Sequence, residues 1–107
     1  MNLKQKQLYN ERAKILKAMA HPTRLYIIDI LSKKESCVCE LTELIKADIS
    51  TVSKHLSVLK NAGIVSDSKM GTKVYYNLLV PCVLDFITCT EKVLQSHVNY
   101  QLELLAK

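Results

Sequence analysis

Between Ser36 and Leu79 the apolar residues change period twice, and few folds accept that order. Val38, Leu41, Leu44 and Ile45 recur at helical spacing, as do Val52, Leu56 and Leu59 at i, i+4, i+7 beyond a break at Ala47-Asp48. Then Val74, Tyr76 and Leu78 alternate with Tyr75 and Asn77, and β-branched and aromatic residues flank the turn Lys69-Met70-Gly71-Thr72. Two short helices joined by a tight turn and followed by a hairpin predict a winged helix-turn-helix. Ser36 is the expected cap of the first helix of the pair and Asp48 that of the second, its carboxylate accepting backbone N–H groups. Gly63 stops the second helix by taking the left-handed conformation.

The flanks are helical. Glu11 to Met19 carries Ile15, Leu16 and Met19 on one face, with Leu3 and Leu8 extending it upstream. His21-Pro22 breaks that helix. Pro22 suits the first turn of another, whose Leu25, Ile28, Ile30 and Leu31 face the core, and the polar Lys33-Lys34-Glu35 leads on to Ser36. Pro81 is expected to open a last helix with a stripe of Leu84, Ile87, Leu94, Val98 and Leu105. That stripe is longer than one small core needs, so its surplus should pack, with the first helix, against a second copy of the chain. The expectation is one mainly α domain over residues 1–107 with a β-hairpin wing: helix-turn-helix at about 36–62, wing at about 64–79, dimerisation helix at about 80–105.

Charge indicates the partner. Residues 1–79 carry 13 basic and 7 acidic side chains, residues 80–107 only 2 and 3. The excess of cations lies where a polyanion would bind. The outward or edge positions of the second helix of the pair are Ser50, Thr51, Ser53, Lys54, His55, Ser57 and Lys60, small and hydroxylated with added charge, and Lys69 and Lys73 stand at the hairpin tip. Such side chains can approach phosphates and base edges, which makes double-stranded operator DNA the expected partner. Singly, each feature is more often a solvated helix face or a protected sheet edge. Their conjunction in this order favours DNA. There is no phosphate-cradling glycine motif and no nucleophile elbow, so no catalytic site and no organic cofactor are expected. No apolar run approaches the roughly 18–20 residues that span a bilayer. Residues 1–12 are polar and lack a signal-peptide core, and the expected location is the cytoplasm, with no membrane partner.

Four cysteines, Cys37, Cys39, Cys82 and Cys89, are expected to be reduced thiols there. Cys37 and Cys39 fall in the first turn of a predicted helix, where free N–H groups and the dipole favour thiolate. Thiolates select As(III), Sb(III), Cd(II), Pb(II), Zn(II) or Cu(I) over hard cations. On a regular helix residues i and i+2 point about 200° apart, so one ion could take both only by distorting the turn. That distortion is the expected switch that loosens DNA.

Leu16-Lys17-Ala18-Met19-Ala20-His21-Pro22-Thr23-Arg24-Leu25, Cys37-Val38-Cys39-Glu40-Leu41, Ser50-Thr51-Val52-Ser53-Lys54-His55-Leu56 and Val74-Tyr75-Tyr76 resemble the successive signatures of the ArsR/SmtB arsenic- and metal-responsive repressors, over about residues 12–80. The resemblance implies a homodimeric repressor released from its operator by an inducer: arsenite or antimonite first, Cd(II), Pb(II) or Zn(II) next, held by Cys37 and Cys39. The chain departs from the family pattern at Thr42, where a three-thiol site would place another Cys, and no cysteine precedes Cys37. A third donor is then Cys89 or Cys82, solvent or an exogenous thiol. Cys82 and Cys89 lie two turns apart and cannot share one ion within a subunit. His97 and Asp85 do not reproduce the family's zinc site on the last helix, and Ile49 stands where relatives often carry Gln. His21 reads as a cap or turn residue, and His55 either meets phosphate or packs under its helix. The alternative is a redox or persulfide sensor that oxidises the same cysteines; a third possibility leaves them inert.

Overall fold

In the computed structural model, which describes residues 1–106, the elements run α1 (Leu3–Met19), α2 (Pro22–Lys33), β1 (Ser36–Cys37), α3 (Val38–Ile45), α4 (Ile49–Asn61), β2 (Val65–Met70), β3 (Lys73–Leu78) and α5 (Val83–Leu105). α1 takes in the upstream Leu3 and Leu8 that extend its apolar face, because Asn2 and Gln5 form a capping box. Asn2 Oδ1 accepts the Gln5 N–H at 2.8 Å and Gln5 Oε1 accepts that of Asn2 at 3.0 Å. Asn-x-x-Gln was legible as a start signal. α2 starts as expected at Pro22, with His21 as its cap: His21 Nδ1 accepts the Thr23 N–H at 3.0 Å.

The core gathers one face from each central element. Ile27, Ile28 and Leu31 of α2, Leu41 of α3, Val52, Leu56 and Leu59 of α4, then Ile64, Val65 and Tyr76 interlock. Burying a Leu or Ile of this kind stabilises the fold by about 1.5–3 kcal/mol. The α4 face matches its i, i+4, i+7 pattern. The α2 face is rotated from expectation, with Ile27 fully buried and Leu25 exposed, and Leu44 of α3 is exposed too. α4 ends in a Schellman turn: Gly63 has φ +80°, its N–H reaches Lys60 O, and Ile64 N–H reaches Leu59 O, both at 3.0 Å. The buried Leu59 and Ile64 meet across it and hand the chain from helix to wing.

The sheet has the order β1-β3-β2 and is antiparallel throughout. Met70 pairs with Lys73 around a two-residue Gly71-Thr72 tip, Gly71 having φ +67°. β1 was not expected. Ser36, read above as a helix cap, is instead a buried strand residue opposite Tyr76, and Cys37 opposite Tyr75 takes the cap. A two-residue strand has too few positions for any alternation to reveal it. α5 starts at Val83 rather than Pro81, after a turn in which Leu84 N–H bonds Pro81 O at 3.0 Å. Val80, Val83, Leu84 and Ile87 pack on the core, while Val93, Leu94, Val98, Leu102 and Leu105 stay exposed. The radius of gyration is 17.3 Å, against about 13 Å for a compact domain of this length. Helix that packs on nothing in its own chain accounts for the excess. No helix among the described residues is long and apolar enough to cross a membrane.

Candidate nucleic-acid interface and thiol site

α4 buries Val52, Leu56 and Leu59 and therefore presents Ser50, Thr51, Ser53, Lys54 and Ser57 to solvent. Its cap differs in detail from expectation. Asp48 is the N-cap, but its carboxylate takes the Ser50 hydroxyl and, at 2.6 Å, the Thr51 hydroxyl rather than a backbone N–H. Those two hydroxyls pull the Asp48 carboxyl down to about 2, so it is charged at any physiological pH. A hydroxyl has one proton to give. With it committed to Asp48, the exposed Ser50 and Thr51 hydroxyls keep only acceptor capacity for any further partner.

His55 points the other way. Its Nδ1 accepts Arg24 Nε–H at 3.2 Å and its ring lies 4.4 Å from that of His21. Arg24 also donates to Ala18 O at 3.0 Å, so the cluster ties the end of α1 and the start of α2 to the underside of α4. His55 is half-buried in this cluster and packs against the two neighbouring helices at the base of α4. Burial, with the charges of His21 and Arg24, holds the imidazole below its ordinary 6.5. The unfolded chain therefore takes up this proton first as pH falls, and stability drops below about pH 6.5. In His55→Gln, whose amide oxygen can still accept from Arg24, the loss of denaturation midpoint between pH 7.5 and 5.5 is expected to shrink. An unchanged loss would assign the acid sensitivity elsewhere.

The lysines separate. Lys60 Nζ lies 3.0 Å from Asp67 Oδ2, bracing α4 against β2, and this partner raises the ammonium's pKa. The ammonium itself stays exposed, and a surface ion pair of this kind is weak. Lys69 pairs opposite Val74 and Lys73 opposite Met70, so the two leave the hairpin on opposite faces and cannot serve the same phosphate. Lys54 and Lys73 make no ion pair among the described residues.

Cys37 and Cys39 meet differently from the helical expectation. Cys37 lies outside α3, extended at φ −80° and ψ 163°, and only Cys39 is in the helix. The 200° divergence therefore does not arise. The Cα atoms are 5.3 Å apart and the sulfurs are joined as a disulfide, with no unwinding of α3. Cys37 Sγ also accepts the Glu40 N–H at 3.3 Å while Glu40 Oε1 accepts that of Cys37 at 3.4 Å, a capping box with sulfur in place of oxygen. Cys37 is 1% exposed and Cys39 is on the surface. Cys82, at the start of α5, and Cys89 within it are free and exposed. Among the described residues no three His, Cys, Asp or Glu side chains converge, so neither joins the pair within a protomer. The cysteines expected as reduced thiols are thus bonded to each other; once reduced they would offer a thiophilic ion two soft donors, two short of a tetrahedral set and one short of a trigonal one.

Residues 21–67 match the family described as bacterial regulatory protein, arsR family. An uncharacterized HTH-type transcriptional regulator of Methanocaldococcus jannaschii is 37% identical over 86 residues, which cover 79% of this chain and 97% of that one. The arsenical resistance operon repressor of Staphylococcus xylosus is 39% identical over 70 residues, 65% of this chain and 67% of the other. Among solved structures, the homodimeric winged helix-turn-helix DNA-binding domain of a Mycobacterium bovis protein is similar at a TM-score of 0.78 and 26% identity, with 94% of this chain and 93% of that one covered.

Proposed function

This chain belongs to the ArsR/SmtB family of winged-helix transcriptional regulators, DNA-binding proteins rather than enzymes, and from that premise we propose that it is a homodimeric repressor released from its operator by a thiophilic ion at Cys37 and Cys39. Arsenite or antimonite is the first choice, with Cd(II), Pb(II) and Zn(II) next. The single unit 1–107 divides into a reading part at about 36–62, a wing at about 64–79 and a dimerisation helix at about 80–105. Ser50, Thr51, Ser53 and Lys54 read the major groove, and Lys69 and Lys73 meet flanking backbone, one from each face of the wing.

The observation that carries this reading is the position of Cys37. One residue is at once the ladder partner of Tyr75 in the wing and the cap of the helix that supports α4. Bound there, a soft ion supplies a Lewis acid that holds both sulfurs. An ion that draws both sulfurs to itself pulls on a residue that caps α3 and pairs with the wing, so any shift of Cys37 moves the wing strand and α3 together. The thiols thus report to both DNA-contacting elements, and by linkage the operator weakens ion binding by the same factor. Titrating a labelled operator complex with As(III), Cd(II), Pb(II) and Zn(II) in turn, followed by anisotropy, tests it. Equal operator affinity with and without every saturating ion would refute the reading. In the same assay Lys54→Ala is expected to lower the slope of log affinity against log salt by about 1, as one lost phosphate contact should.

The disulfide between Cys37 and Cys39 favours a second reading, in which oxidation of the pair is itself the signal. Release by a thiol oxidant and restoration by a reductant, with arsenite silent, would establish that version.

A further inference from the structure

The cysteine pair opens onto a cleft of about 300 Å³ whose interior no role above fills. Its walls come from three elements: Cys37 and Cys39, then Ile49 and Ser53 of α4, then Thr72 and Lys73 of the wing. It is far larger than an ion needs. A trivalent arsenic held by two cysteines lacks one sulfur, and no third protein donor converges on the pair among the described residues. The one cationic side chain in the wall is Lys73, which has no acidic partner there.

We propose that the site is completed by a small anionic monothiol seated in this cleft, its sulfur the third donor to arsenic and its carboxylate against Lys73. The inference rests on the reading of Cys37 and Cys39 as an arsenite site. The chemistry balances without outside reagents. Two molecules of monothiol reduce the Cys37–Cys39 disulfide, leaving two protein thiols and one small disulfide. Arsenous acid then exchanges its three hydroxyls for three sulfurs, two from the protein and one from a further monothiol, each thiol proton leaving with hydroxide as water while arsenic stays trivalent. The ligand would fill the space between α4 and the wing and neutralise the Lys73 charge that otherwise faces operator phosphate. A bare ion could do neither.

The test is native mass spectrometry of full-length protein carrying Cys82→Ser and Cys89→Ser, incubated with arsenite and either 3-mercaptopropionate or cysteamine, with operator release followed in parallel. The expected species carries one arsenic and one small thiol per protomer. Mercaptopropionate should be retained about two- to fivefold better than cysteamine, the range an exposed ion pair supports. Lys73→Glu should reverse that order. Arsenic bound with no small thiol, or retention indifferent to charge and to Lys73→Glu, overturns the inference. If operator is still released in that case, the arsenite reading stands alone; if arsenic does not bind at all, both fall.

Discussion

Replacing Cys37 or Cys39 by Ser is expected to leave operator binding in place and to abolish its release by the inducing ion. Ser is among the better helix caps, so in Cys37→Ser the hydroxyl can take over the Glu40 N–H that sulfur now accepts at 3.3 Å. Fold and apo affinity should therefore survive, and Cys39, on the surface, has still less to lose. What disappears is the soft donor. Couplings of this type are typically 5–150-fold in affinity, so a saturating ion should weaken the wild-type complex within that range and leave each variant essentially unmoved. Anisotropy titration of a labelled operator with and without arsenite measures both quantities. Release that persists in both single variants would remove the thiols from the signalling route. Loss of apo affinity in Cys37→Ser with intact Cys39→Ser would show that the sulfur cap itself shapes the reading surface.

The second large effect concerns the far end of the molecule. Leu94→Asp or Val98→Asp is expected to yield a folded monomer whose operator affinity falls by about 10²–10⁴, the gain that two linked half-site contacts bring over one. Leu94 is 65% exposed and Val98 47% within the protomer, so neither change opens a cavity in the core. In a dimer each would place an unpaired carboxylate in an apolar seam. α1 adds Leu3, Leu8, Ile15 and Leu16 to the exposed apolar surface, consistent with both terminal helices sharing the seam. Sedimentation would report the mass, circular dichroism the fold, and the same operator assay the affinity. A dimer that withstands both substitutions would place the interface elsewhere.

The elements with long apolar periods were legible in advance. α4 declared itself by Val52, Leu56 and Leu59, and the wing by its alternation about Gly71, because each pattern repeats often enough to be read within its own segment. The amphipathic surplus of α5 was legible for the same reason. Boundaries were read less well: α5 began two residues later than Pro81 suggested, and Ser36, expected as a cap, is a strand residue. The candidate site divided along the same line. The closeness of Cys37 and Cys39 was legible from their spacing, but they were expected as reduced thiols on a regular helix, and the structure joins them as a disulfide because Cys37 lies outside α3. His55 and Lys60 looked outward on a helical wheel, yet one is drawn to Arg24 and His21 and the other to Asp67.

By itself, then, the order of residues determined the succession of helix, turn, helix and hairpin, the excess of cations over residues 1–79 and the closeness of Cys37 and Cys39. Those follow from backbone periodicity and side-chain chemistry, which act over a few residues. Only the tertiary structure decided that Ser36 and Cys37 form a strand, since their partners Tyr76 and Tyr75 lie some 40 residues away. That pairing pulls Cys37 out of the helix, brings its sulfur to Cys39 and sets the two against a cleft walled by α4 and the wing. Contacts between distant segments satisfy backbone groups and bury side chains together, and no local pattern encodes which segments will meet.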